Sequence, residues 1–409
     1  MTPPAPSILF ANARILTMGG SPGAKRGKRM NDLGVIERGN VLVQSGKIVS
    51  VTVKSMEPPA GCEVIDARGR VLMPGFVDAH THALWAGDRL DEWDKAQAGA
   101  SYLEILESGG GIMSTVRAVR NAPPKDLTEN LRDRLEIMLR EGTTTVEVKS
   151  GYGLTTDDEL KMLRVIHEAG KGSPVTVIPT TLIGHAVDSE QEGFFETAIN
   201  ETLPAVHHEF PHIPIDAYCE TGAWPLDQCV RLFERAQALG HPFRVHTDQF
   251  NELGMTTWAL EHGALSVDHL EATSTDIISR IGASESAAVL LPCSGFQVDE
   301  RYADGRALVD AGAHIVIATN CNPGSAPTSS MPMAIALAVR KCGLSPAEAI
   351  CACTANAAAL LGLDDRGFIA PGARADLVLL RHTDERALAY EFGGNPVDVV
   401  VCGGQVVKN

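Results

Sequence analysis

Upstream of residue 70, apolar and polar positions alternate in short runs, Val41-Leu42-Val43, Ile48-Val49-Ser50-Val51 and Glu63-Val64-Ile65, separated by Gly, Pro and Asn. A two-residue period bounded by turn formers predicts the strands of a small β domain. The stretch 19–31, rich in Gly, Lys and Arg, reads as a surface loop.

From residue 71 the period changes. Short β-rich runs alternate with longer segments whose apolar residues recur three and four apart, which predicts helices over 157–169, 225–239 and 256–262 and a helical stretch over 344–361. Eight candidate strands end near His80, Lys149, Thr181, Glu220, His246, His269, Pro292 and Asn320. Eight βα repeats predict an α/β fold, a (β/α)₈ TIM-type barrel, over 71–364. Beyond it the chain returns to β-like sequence in Ala375-Asp376-Leu377-Val378-Leu379-Leu380 and in 397–407. The simplest architecture joins these to the N-terminal strands, so that 1–70 and 365–409 build one small β domain beside the barrel.

Composition narrows the function classes. At 409 residues the chain accommodates both units, and 44% hydrophobic with 21% charged residues excludes a disordered chain. Fifty-one acidic against 35 basic residues give a formal charge of −16, which opposes nucleic acid and acidic membrane surfaces and favours a small-molecule substrate. No run reaches roughly 18 apolar residues, and residues 1–10 lack a basic start followed by an apolar core, so a soluble cytoplasmic protein is expected. The nine cysteines are scattered with no CxxC pair, which predicts reduced, mostly buried thiols. Oligomeric state stays open, a homodimer being the common case.

The strongest chemical signal is the apolar run Val71-Leu72-Met73-Pro74-Gly75-Phe76-Val77-Asp78-Ala79 that terminates in His80-Thr81-His82. In an extended strand residues i and i+2 point the same way, so both imidazoles can face one metal at the C-terminal mouth of the barrel. Alone, such a pair is as readily structural as ligating. His246, in Phe243-Arg244-Val245-His246, and His269, in Ser266-Val267-Asp268-His269, each end a later strand, and four histidines on one rim favour metal. Imidazole and oxygen ligation without thiolate suits zinc or iron.

On these residues the chain resembles the amidohydrolase superfamily. Within it, Thr143-Thr144-Thr145-Val146-Glu147-Val148-Lys149-Ser150-Gly151-Tyr152-Gly153-Leu154 is similar to a run specific to the imidazolonepropionase family. Val245-His246-Thr247-Asp248-Gln249-Phe250, Ser266-Val267-Asp268-His269-Leu270-Glu271 and Asn322-Pro323-Gly324 resemble three further pieces of that family. The resemblance implies hydrolytic opening of imidazolonepropionate to N-formimidoyl-L-glutamate in histidine degradation. It also implies one zinc or iron held by His80, His82 and His246, with a fourth ligand from the position of Asn320.

A metal lowers the pKa of bound water from about 15.7 towards 7, supplying hydroxide at neutral pH. His269 can orient that water or stabilise the developing oxyanion. The resemblance assigns Arg89 to the substrate's propionate, for which a guanidinium offers a bidentate fork. Tyr102 and Tyr152 match positions that line the ring, and His185 and Gln249 are further expected substrate contacts. Lys149 lies on the second strand, where a carboxylated lysine bridging two metals is not expected; a charge partner, Glu147, is.

The chain departs from the family at Asn320, where most members carry Asp. An amide ligates through oxygen but accepts no proton at neutral pH, so the usual general base is missing and Asp248 becomes the available carboxylate. Two other readings compete. One is a deaminase or cyclic amidase acting on another heterocycle, for which Arg89 has no obvious partner. The other is a non-catalytic metal or ligand-binding homologue, which Asn320 motivates.

Overall fold

The computed structural model describes residues 7–99 and 110–407. The N-terminal strands β1 (Ser7–Leu16), β2 (Val35–Gln44), β3 (Lys47–Thr52), β4 (Glu63–Asp66) and β5 (Val71–Pro74) precede eight barrel strands. These are β6 (Phe76–Asp78), β7 (Thr143–Lys149), β8 (Thr176–Gly184), β9 (Ile215–Cys219), β10 (Val245–Thr247), β11 (Ser266–His269), β12 (Ala287–Leu290) and β13 (His314–Ile317). β14 (Leu377–Leu380), β15 (Val397–Cys402) and β16 (Gln405–Val407) follow. The chain ends share one mixed sheet in the order β16-β15-β14-β5-β1-β2-β3, with β4 on β1, as the alternating runs predict.

The barrel strands are ordered β6 to β13, each parallel to the next. Backbone bonds beyond the strand ends close the seam: the Asn320 amide donates to the His80 carbonyl (3.1 Å) and the His82 amide to the Cys321 carbonyl (2.9 Å). The helices fall within a residue of expectation, at Thr156–Gly170, Leu226–Ala238 and Met255–Glu261. Thr155 caps the first, accepting from the Asp158 amide, and Leu160, Leu163 and Ile166 bury its inner face.

Three details differ from the sequence reading. The run 71–82 is two strands: Val71–Pro74 pairs with β1 and β14, whereas Phe76–Asp78 pairs with β7. The chain changes sheet at Gly75, where a Cβ would meet the Thr144 side chain at 2.5 Å, so only glycine fits. The helical stretch 344–361 breaks into Pro346–Ala352 and Ala355–Leu360, because the Thr354 hydroxyl donates back to the Ile350 carbonyl (2.6 Å) and its backbone leaves the helical region. The segment 19–31 is more than a surface loop: Met30 is fully buried, and the Asn356 side-chain amide holds both the N–H and the C=O of Lys25. That segment straps the terminal sheet to the barrel. No helix among the described residues is long and apolar enough to cross a membrane.

Candidate active site

β6, β10 and the seam bring His80, His82 and His246 together, with one nitrogen of each within 4.8 Å of the others, all buried. His80 and His82 lie just past the end of β6, on the segment that the seam bonds hold extended. The tautomers follow from the partners. His80 Nδ1 faces Asp268 Oδ2 at 2.6 Å and His246 Nδ1 faces Asp216 Oδ1 at 3.1 Å. Carboxylates only accept, so both rings donate from Nδ1 and turn their Nε2 lone pairs into the site. His80 Nε2 and Asn320 Oδ1 are buried without a partner, and His82 Nε2 lies 3.2 Å from His246 Nε2. Two buried lone pairs fixed by the tautomers of His80 and His246, beside a third imidazole and an unpartnered amide oxygen, fit a cation. Burial holds all three imidazoles well below their ordinary pKa, with Lys149 adding to the effect at each, so they stay neutral as metal ligands must.

Beneath the triad runs a buried chain of charges. Lys149 Nζ reaches Glu147 Oε1 (2.8 Å) and Asp216 Oδ2 (2.9 Å), while Arg244 pairs with Asp268 and lies 3.4 Å from Glu147. His80 and His246 are thereby tied into one network through Asp268, Arg244, Glu147, Lys149 and Asp216. Three carboxylates meet two cations in this network. Lys149 has the expected Glu147 partner and a second in Asp216. A carboxylated lysine would set a third anion against these two at ion-pair distance, which argues against a bridged metal pair.

His269 stands beside the triad, its ring centroid 5.6 Å from His246 and 6.2 Å from His80. Its Nδ1 meets Glu271 Oε1 at 3.1 Å. Left-handed backbone collects at the strand ends, at Asp248 (φ 54°), His269 (φ 90°), Leu270 (φ 73°) and Asn320 (φ 56°). Each such non-glycine residue costs about 1–3 kcal/mol and persists only where its surroundings fix it.

Asp248 does not join the cluster. Its carboxylate accepts from the hydroxyls of Thr247 (3.0 Å), Thr256 (2.7 Å) and Thr273 (3.0 Å), and its carbonyl accepts from the Ala272 amide (2.7 Å). Engaged by three threonines, it fastens the segment after His269, against the sequence reading of Asp248 as the available base. Gln249 Oε1 accepts from the Tyr218 hydroxyl (2.8 Å).

Arg89 is held: its Nε donates to Glu92 Oε2 (2.6 Å), and its Nη1 lies 3.4 Å from where a Cβ on Gly324 would stand. Arg134 fixes the loop leading to it, stacking its guanidinium on Trp85 at 3.3 Å and donating to the Ala83 and Trp85 carbonyls. Tyr152 is buried with its ring 5.0 Å from His185, and burial raises its phenol pKa, leaving a hydroxyl donor. His185 stacks on His82 at 4.8 Å and donates from Nδ1 to the Gly151 carbonyl, and burial lowers its pKa to about 4. Tyr102 lies outside the described residues.

Sequence reasoning missed Asp216, Asp268, Arg244, Glu271 and Tyr218. A signal exists for most of them: Glu147 and Lys149, Asp216 and Tyr218, Arg244 and His246, and Ser266 and Asp268 are polar pairs two residues apart in otherwise apolar strands. Such pairs share one face, here the barrel interior.

Comparison with known proteins agrees with this geometry. Two models described as the amidohydrolase family match residues 227–407 and 63–104. An imidazolonepropionase of Herpetosiphon aurantiacus is 41% identical, the match covering 99% of this chain and 98% of that protein. One from Deinococcus radiodurans is 45% identical over 94% and 96%. Among solved structures, a triazine hydrolase variant superposes with a TM-score of 0.75 at 18% identity, covering 98% and 94% of the two chains. An atrazine chlorohydrolase mutant from Arthrobacter aurescens, complexed with zinc and atraton, gives 0.71 at 18% over the same shares. At that identity the structures speak for the fold alone.

Proposed function

The chain belongs to the imidazolonepropionase family of amidohydrolases, and from that premise we propose that it hydrolyses imidazolonepropionate to N-formimidoyl-L-glutamate in histidine degradation. The observation that carries this reading is the buried histidine triad of an imidazolonepropionase-like chain, with one nitrogen of each ring within 4.8 Å of the others. His80, His82 and His246, with the Asn320 amide oxygen, would hold one zinc or iron. When bound, the metal supplies Lewis acidity for the ring carbonyl and for the attacking water. Nine unpaired thiols, eight of them buried, support a cytoplasmic location.

The chain's own residues do the rest. Arg89 anchors the propionate carboxylate from the rim, and Tyr152, His185 and Gln249, together with Tyr102, line the flat heterocycle with hydroxyl, imidazole and amide groups. Asn320 places the water but takes no proton. His269 has Nδ1 engaged and Nε2 left to receive the water's proton and return it to the departing ring nitrogen. Metal-loaded protein incubated with imidazolonepropionate should abolish the ring absorbance with formation of N-formimidoyl-glutamate; persistence of that absorbance sinks the reading. Elemental analysis should find one transition metal per chain, whereas two per chain would contradict the role given to Lys149.

A further inference from the structure

We propose that Glu271 is a positioning residue for ring opening: it fixes His269 as the Nδ1–H tautomer and provides the counter-charge when Nε2 takes a proton. The proposal rests on the hydrolytic reading above and assigns its proton transfer to a pair of residues.

Four observations support it. Glu271 Oε1 lies 3.1 Å from His269 Nδ1, and a carboxylate can only accept, so the ring proton sits on Nδ1. Both side chains are almost wholly buried, 4% and 5% exposed, and no other ion pair of Glu271 occurs among the described residues. The second oxygen, Oε2, is buried without any hydrogen-bond partner. A proton taken up on Nε2 would turn this hydrogen bond into an ion pair. Finally, the arrangement is built in. The left-handed turn at His269 and Leu270 is pinned by the Leu270 amide on the Thr247 carbonyl (3.3 Å), the Ala272 amide on the Asp248 carbonyl (2.7 Å) and the Thr273 hydroxyl on the Asp248 carboxylate (3.0 Å).

The chemistry balances within the pair. Water oxygen bonds to the ring carbonyl carbon while one water proton passes to His269 Nε2, giving an imidazolium paired with Glu271. The carbon–nitrogen bond then breaks, its electrons staying on nitrogen, and Nε2 returns the proton there. One water is consumed and His269 ends neutral. With Asn320 unable to accept a proton and Asp248 committed to threonines, the dyad is the acid–base pair this chain retains.

The test compares zinc-loaded wild type with Glu271→Gln and Glu271→Asp. In the Gln variant kcat should fall by about 10²-fold or more, the scale of general acid–base help. KM, zinc content and Tm should stay close to wild type, and Asp should recover part of the rate. Nitrogen-15 spectra of the wild-type His269 ring should show Nδ1 protonated and Nε2 bare, an observation independent of turnover. A proton on Nε2, or a Gln variant with wild-type kcat, overturns the positioning role while leaving the hydrolytic reading standing. An inactive zinc-loaded wild type overturns both.

Discussion

At the scale of single residues, Asn320 carries the most consequence for the proposed chemistry. Its Oδ1 is buried without a hydrogen-bond partner; in the proposed site the amide would serve as a ligand but not as a base. Asn320→Asp should therefore raise turnover tenfold or more at similar metal occupancy, as measured by initial rates alongside elemental analysis. Unchanged turnover would leave the dyad as the sole base. Arg89 acts remotely, through binding shared by ground and transition states, so Arg89→Met should raise KM and spare kcat. The cost of a lost charged hydrogen bond, about 1.5–3 kcal/mol, is about one to two powers of ten in KM; wild-type kinetics would remove Arg89 from the site. The triad itself was legible because His-x-His has strand spacing and the other histidines end strands. The side to which Asp248 turns was not, because a single left-handed φ of 54° overrides strand alternation.

At the scale of elements, the polar pairs inside the barrel strands form the platform under the histidine triad. Lys149, on β7, neutralises carboxylates on its own strand and on β9, while Arg244, just before β10, does so for β7 and β11. Removing one cation strands buried anions, which costs roughly 3–5 kcal/mol. Lys149→Met should lose about that much stability in denaturant titration and weaken zinc in chelator competition, since the Asp216 that orients His246 loses its partner. A Lys149→Met protein as stable as wild type would show that the network contributes nothing net. The strands and helices themselves were readable from their periods. The sheet change at Gly75 and the break at Thr354 were not, because each depends on one side chain met at close range, Thr144 in the first case and the Thr354 hydroxyl in the second.

For the whole molecule, the barrel and the shared terminal sheet followed from pattern alone, whereas the strap over 19–31 depends on Asn356, 331 residues from Lys25, and no local period reports such a contact. Burial also sets the chemistry of the thiols. Cys62 alone is partly exposed, and burial pushes the Cys321 thiol up to about 12. One thiol should react quickly with a chromogenic disulfide in the native protein and the other eight only on unfolding; fast reaction of several would contradict the packing. The barrel seam carries a further consequence. Asp78 and Thr319, which bond across it, are 241 residues apart, with His80 and His82 on one side of it and Asn320 on the other. During biosynthesis the first two ligands emerge long before the last strand exists to close the ring. A chain interrupted before residue 320 would thus carry all three histidines of the proposed site and lack the seam bonds that hold the segment of His80 and His82 in place.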